Sequence, residues 1–212
     1  MIRISKPDIT HVQYMAPGAI PILLLRLFGI KNIIATAHTA ADIYPNLKLV
    51  HFIQRYCVRG FTCITQVAEM SFFGKSNLYT QKTVIQKVNH FTIYNVLPSY
   101  IKIREEQRDF SSPVTLGVVG RLEKIKGGDL VIPAFVRIKE RYPETRLLIV
   151  GDGSLKAFMQ QQAKDLHVSE YITWVGRKDQ SQLQAYYDKI HVLLIPSRSE
   201  GFGLTAIEGM AR

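Results

Sequence analysis

Apolar and polar positions follow two rhythms along this chain, and the C-terminal half shows both clearly. Val114-Thr115-Leu116-Gly117-Val118-Val119 is a short β-rich apolar run that stops at Gly120. From Asp129 to Arg141 the apolar residues Leu130, Ile132, Ala134, Phe135 and Ile138 recur at helical spacing until Tyr142-Pro143 closes the stripe. Arg146-Leu147-Leu148-Ile149-Val150 predicts a second buried strand, ending in Gly151-Asp152-Gly153. Ser154 is placed to cap the next helix, whose Leu155, Phe158, Met159, Ala163 and Leu166 share a face. Tyr171 to Val175 reads as a third strand, Gln180 to Tyr187 as a third helix, His191 to Ile195 as a fourth strand, and a last helix begins near Leu204.

Strands that are nearly continuous apolar runs, alternating with helices, predict a parallel sheet covered on both faces. In such sheets ligands bind at the carboxyl ends of strands, and every glycine cluster of this half falls there. The N-terminal half is similar but sparser. It predicts strands at Asp8–Gln13, Asn32–Thr36, Cys63–Thr65 and Phe91–Tyr94, and helices at Ala19–Phe28 and Leu47–Val58. Between Leu97 and Pro113 the chain turns polar and charged, through Arg104-Glu105-Glu106-Gln107-Arg108-Asp109 to Ser111-Ser112-Pro113. That stretch reads as a link between two α/β units, giving units at 1–98 and 113–212 with a linker over 99–112.

Composition narrows the class. Of 212 residues, 47% are hydrophobic and 21% charged, which excludes a disordered tail, a collagen-like repeat and a disulfide scaffold. The two cysteines, Cys57 and Cys63, read as buried apolar side chains in a reducing compartment, and no zinc site is expected from them. The start of the chain has no apolar signal core. The most apolar run, Ala16 to Ala35, is broken by Pro21, Arg26 and Lys31, where a spanning helix needs about 20 uninterrupted apolar residues. The formal net charge is +10, and residues 1–110 hold 13 basic against 6 acidic side chains. Such a basic half suits nucleic acid, an anionic lipid surface or a phosphorylated substrate. No recognition-helix, RNP-like or zinc pattern supports nucleic acid.

Two loops carry candidate chemistry. Gly120-Arg121-Leu122-Glu123-Lys124-Ile125-Lys126-Gly127-Gly128 follows a strand and opens a helix, so its glycines admit a close ligand and its cations suit phosphate oxygens. It is neither a dinucleotide fingerprint nor a Walker loop, which also disfavours a nicotinamide dehydrogenase. The second loop, Pro196-Ser197-Arg198-Ser199-Glu200-Gly201-Phe202-Gly203-Leu204-Thr205-Ala206-Ile207-Glu208, joins the fourth strand to the last helix. Gly201 and Gly203 free its backbone to meet an anion. Glu200 and Glu208, expected near one cleft mouth, suit hydroxyls of a sugar or ribose.

These residues resemble a family. Gly120-Arg121-x4-Lys126-Gly127, then Gly151-Asp152-Gly153, then Pro196-Ser197-x2-Glu200-Gly201-Phe202-Gly203-Leu204-x3-Glu208 are similar to the donor-domain motifs of retaining GT-B glycosyltransferases of the family-4 (group 1) kind. An E-x7-E spacing alone is unspecific; this ordered series at element ends is specific. In the other half, Lys6-Pro7-Asp8-Ile9-Thr10-His11-Val12 resembles the family's K-P-D-I-V-H strand, and Thr36-Ala37-His38 its T-x-H strand end.

The resemblance implies an α/β GT-B fold of two Rossmann-like domains with parallel sheets, both incomplete, because motifs expected before Met1 and after Arg212 are missing. It implies transfer of a sugar from a nucleotide-sugar, such as a UDP- or GDP-sugar, to a glycan or lipid-linked acceptor with retention of configuration. No metal or other cofactor is implied. Arg121 and Lys126 would neutralise the donor diphosphate, Glu200 would hold hydroxyls of the transferred sugar, and Phe202 and Gly203 would line its pocket. Leu204 and Thr205 would offer backbone N–H groups to phosphate, Glu208 would grip the ribose, and Gly120, Gly151, Gly153 and Gly201 would shape the donor site. His38 would face the transferred sugar from the other domain. A cytoplasmic enzyme, peripheral at the inner face of an anionic membrane, fits this. The alternative is a fragment that only binds the nucleotide-sugar.

Overall fold

A computed structural model describes residues 7–13, 19–41, 44, 46–81, 88–110 and 113–212. Lys6, Ser111, Ser112 and the Ala16–Gly18 part of the apolar run lie outside the described residues. The chain divides into two compact units, Met1–Asn95 and Val96–Arg212.

In the first unit, β1 (Thr10–Gln13), β2 (Ile33–Ala37), β3 (Gly60–Cys63) and β4 (His90–Thr92) form a parallel sheet in the order β1-β2-β3-β4. Between them run α1 (Ile20–Leu27), α2 (Leu47–Tyr56) and α3 (Gln66–Phe73). The side-chain alternation of strands decides the two faces. Val12, Ile33, Ala35, Ala37, Phe61 and Cys63 point into one core with Ile22, Ile53 and Phe72, while the residues between them include His11, Gln13, Thr36 and Thr62. Both cysteines are buried and free.

Two readings shift here. The strand expected at Cys63–Thr65 lies at Gly60–Cys63, because the Thr65 side chain accepts from the Ala68 N–H and starts α3 instead. Sequence pattern missed α3 because its polarity is inverted: Val67 and Met70 are exposed while Glu69 is fully buried. The Glu69 carboxylate survives burial by accepting from His90 Nδ1 at 2.6 Å, Thr92 Oγ1 at 2.6 Å and the Asn77 N–H at 3.0 Å. The fourth strand, expected over Phe91–Tyr94, is His90–Thr92; Ile93 and Tyr94 are exposed beyond it.

In the second unit, β5 (Thr115–Val119), β6 (Arg146–Val150), β7 (Ile172–Gly176) and β8 (Val192–Leu193) are parallel in the order β7-β6-β5-β8. The helices α4 (Gly128–Arg141), α5 (Lys156–Asp165), α6 (Gln180–Tyr187) and α7 (Leu204–Met210) alternate with them. Leu147 and Ile149 of β6 enter one apolar cluster with Phe135 and Met159; Leu148 and Val150 enter another with Ile101, Tyr187 and Ile190. Both faces of this sheet are therefore sealed, as the continuous apolar strands require. Part of the stretch read as a link packs here: Ile101 is buried, the Arg104 N–H donates to the Ala211 carbonyl at 2.7 Å, and Arg108 donates to the Tyr187 and Asp188 carbonyls.

Candidate active site

Strand order fixes where the second unit can bind. Chain order runs from β5 outward through β6 to β7, then returns to place β8 on the other side of β5. A parallel α/β sheet opens its ligand crevice at such a reversal, beyond the carboxyl ends of the strands. The loops after β5 and β8 are the two glycine-rich loops, Gly120–Gly128 and Pro196–Gly203. Gly120, Arg121, Lys126, Ser197, Glu200 and Thr205 accordingly surround one small recess.

Side-chain pairs tie the two loops together. Lys126 Nζ lies 2.7 Å from Glu200 Oε2. Arg198 forms a two-pronged pair with Asp129 at 2.7 and 2.8 Å, and its backbone N–H donates to the Ile125 carbonyl at 2.9 Å. Arg198 is thus a clamp on the start of α4, a role its sequence position did not reveal. Burial pushes the Glu200 carboxyl up, yet its hydrogen bonds from Lys126 and Ser197 and the charges of Lys126 and Arg121 outweigh this and hold it below the ordinary range. The Arg198 guanidinium similarly lowers Asp129. Arg121 is exposed and has no carboxylate partner among the described residues.

A second recess of about 490 Å³ adjoins the first through Gly120 and Arg121 and is lined further by Gly151, Asp152, Gly153, Arg177 and Lys178. Gly151 is needed for the approach of its loop to the preceding one. Its φ is +142°, and a Cβ there would lie 1.8 Å from the Gly120 carbonyl oxygen. Ser154 does not cap α5 as expected. It donates its backbone N–H at 2.9 Å and its hydroxyl at 2.5 Å to Glu123, an ionised acceptor on the neighbouring loop, and Leu155 takes the helix-start position without a side-chain cap. Arg177 and Lys178 stand outside the two candidate loops of the sequence, although they follow a strand-ending glycine, Gly176, just as the other loops do.

The remaining predicted residues separate. Gly201, Phe202, Gly203 and Leu204 form the turn into α7, where Gly203 takes a left-handed conformation with φ +76° at the helix start. Glu208 is not at the mouth beside Glu200. It is 6% exposed, and its two oxygens accept from Tyr100 and Tyr187. Four residues past Leu204 on α7, its side chain meets Tyr187, whose ring packs in the apolar cluster with Ile101, Leu148, Val150 and Ile190.

On the first unit, His38 follows the end of β2 and donates from Nε2 to the Gln13 side-chain oxygen at 2.5 Å. The Gln13 amide nitrogen lies 3.3 Å from His11 Nε2, which is 2.7 Å from the Thr36 hydroxyl, itself 2.6 Å from that of Thr62. A polar chain therefore runs from the buried strands to His38. Burial, then the neighbouring His11, lowers the His38 pKa below 6.5 and favours the neutral ring. Among the described residues no group of three His, Cys, Asp or Glu side chains is arranged to hold a metal, and no helix is long and apolar enough to cross a membrane.

Residues 99–212 match the family described as Glycosyl transferases group 1. The chain is 32% identical over 223 residues to the GDP-mannose-dependent alpha-(1-6)-phosphatidylinositol monomannoside mannosyltransferase of Mycolicibacterium smegmatis, covering 98% of this chain and 55% of that protein. It is 26% identical over 231 residues to the D-inositol 3-phosphate glycosyltransferase of Corynebacterium aurimucosum, covering 96% of this chain and 53% of the relative. The chain thus spans about half the length of these curated relatives. A crystal structure of Anabaena HepE with UDP and glucose superposes with a TM-score of 0.67 at 16% identity, covering 91% of this chain and 53% of that one. The likeness is one of fold, the two-sheet α/β architecture of GT-B type.

Proposed function

The chain belongs to the glycosyl transferases group 1 family, and we propose that it moves a hexose from a nucleotide-sugar to a glycan or lipid-linked acceptor with retention of anomeric configuration. The observation that carries this reading is the meeting of Arg121, Lys126 and Glu200 at the strand-order reversal. Cations placed where charge develops on a departing diphosphate lower the barrier to its departure. Arg121 and Lys126 take that part, with Gly120, Gly151, Gly153 and the Gly201–Thr205 turn shaping the donor pocket. Glu200 accepts from hydroxyls of the transferred sugar, Phe202 and Gly203 line its pocket, and Leu204 and Thr205 turn backbone N–H groups to phosphate. Glu208 reads the ribose.

The step breaks the bond between the anomeric carbon and the diphosphate oxygen and forms one to the acceptor oxygen on the same face. The acceptor's proton passes to the departing phosphate oxygen, so neither a metal nor a carboxylate nucleophile of the retaining glycosidase type is required. Lys126 and Glu200 now hold one another; a diphosphate that draws Lys126 away leaves Glu200 open to sugar hydroxyls. The basic excess of residues 1–110 suits a lipid-linked acceptor at the cytoplasmic face of an anionic membrane.

Titration of the chain with UDP and with GDP tests the reading. Arg121→Ala should weaken the preferred diphosphate about tenfold or more, the worth of a charge-assisted hydrogen bond. Unchanged affinity counts against it. A second reading, donor binding without turnover, predicts nucleotide binding but no transfer of label from a radioactive nucleotide-sugar.

A further inference from the structure

Glu208 is held by residues from two other places in the second unit. Tyr100, on the segment before β5, donates its hydroxyl to Oε1 at 2.9 Å, and Tyr187, at the end of α6, donates to Oε2 at 2.6 Å. The Thr205 side chain hydrogen-bonds Tyr187 in turn, so Thr205, Tyr187, Glu208 and Tyr100 form one polar chain in an apolar setting. Tyr187 is 1% exposed and packs with Ile101, Leu148, Val150 and Ile190.

A carboxylate in such a place is costly unless it is hydrogen-bonded. Two phenols supply one donor per oxygen and fix the plane of the carboxylate. Each oxygen keeps a second acceptor position, because a carboxylate offers about four lone-pair sites. Burial, then Glu208, pushes the Tyr100 hydroxyl up to about 12 and the Tyr187 hydroxyl higher still, so both remain proton donors at neutral pH. The cluster also adjoins the larger recess: Val119, Val150 and Leu183 belong to it and line that cavity too.

We propose that Tyr100 and Tyr187 are positioning residues that aim the Glu208 carboxylate at the ribose hydroxyls of the donor, so that discrimination between ribo- and deoxyribonucleotides depends on two side chains that do not touch the ligand. The inference rests on the nucleotide-sugar reading of the site. A carboxylate freed from one phenol swings about its terminal torsion and loses the fixed geometry that pairs it with vicinal hydroxyls. Thr205 couples the same network to the turn assigned to phosphate.

Calorimetric titration of the 212-residue chain with UDP and 2′-deoxy-UDP, and with GDP and 2′-deoxy-GDP, tests this on the parent, Glu208→Gln, Tyr187→Phe, Tyr100→Phe and the double Phe variant. The parent should favour the ribonucleotide about tenfold, one charge-assisted hydrogen bond. Glu208→Gln and the double Phe variant should each reduce that ratio to about twofold or less, while deoxynucleotide affinity stays within about twofold of the parent. Tyr100→Phe, at the half-buried end, keeps the test open should Tyr187→Phe fold poorly. Phe variants that retain the parent ratio, or weaken both nucleotides equally, overturn the positioning role while a Glu208→Gln effect leaves the donor-site reading standing. A parent that binds a diphosphate without ribose preference overturns the positioning role and leaves the donor-site reading standing; one that binds neither diphosphate overturns both.

Discussion

The two units build four parallel strands each from the same kind of apolar run, yet they arrange them differently. In the first, the order β1-β2-β3-β4 never reverses among the described residues, and one face of the sheet carries the polar chain from Thr62 through Thr36, His11 and Gln13 to His38. In the second, both faces are sealed by apolar clusters, and β8 returns to the flank of β5. That return brings together two loops that are 74 residues apart at the Lys126–Glu200 pair. Strand order makes the crevice between charged loops in the second unit, whereas the polar sheet face of the first follows from the His, Gln and Thr side chains at alternate strand positions.

The sharpest break of this contrast is Gly151→Val. A side chain at φ +142° against the Gly120 carbonyl forces the loops of the second unit apart, at about 3 kcal/mol or more of stability; urea denaturation should show it, together with loss of nucleotide binding. In the first unit Thr36→Val cuts the polar chain and leaves His11 and Thr62 short of a partner. It should cost about 1–2 kcal/mol and raise the His38 pKa, followed by NMR titration, as the chain that orders it loosens. Glu200→Gln releases Lys126 and removes a negative charge beside the anion site. UDP should then bind about threefold more tightly, near the worth of a half-exposed ion pair, whereas sugar transfer should fall.

Acidity gives the smallest and most selective effect. His38 has a native pKa below its unfolded 6.5, so its contribution to stability is full above pH 6.5 and is lost as pH falls through the lowered native value. Asp129 and Glu123 are also held low, by Arg198 and Ser154 respectively, from ordinary values of 3.8 and 4.5. Their contribution is full above those values and is lost only in more acid solution. Between pH 7 and about 5, loss of stability should therefore come from the first unit and be abolished by His38→Asn; a midpoint that moves equally in the variant breaks the assignment.

Much of this was legible in the sequence. Continuous apolar runs placed β5 to β8, helical stripes placed α4 to α6, and glycine clusters marked the strand ends where Arg121, Lys126 and Glu200 converge. Reading failed where burial contradicted residue type. α3 buries Glu69 and exposes Val67, so no apolar stripe announces it. A carboxylate is usually solvated, which points Glu208 to a surface mouth, but two phenols satisfy it inside. Capping is a local rule and points Ser154 to its own helix, whereas an ionised Glu123 on another loop is the stronger acceptor.

The sequence alone determined the alternation of strands and helices, the two α/β halves, and which loops carry glycine, cation and carboxylate, since each follows from periodicity and steric need within a few residues. Only the tertiary structure decided that β8 lies beside β5, that Lys126 pairs with Glu200, and that Tyr100 reaches a carboxylate 108 residues away. Those contacts join residues with no local pattern in common. They form because the order in which strands pair, and the burial that follows, is settled by packing of the whole unit.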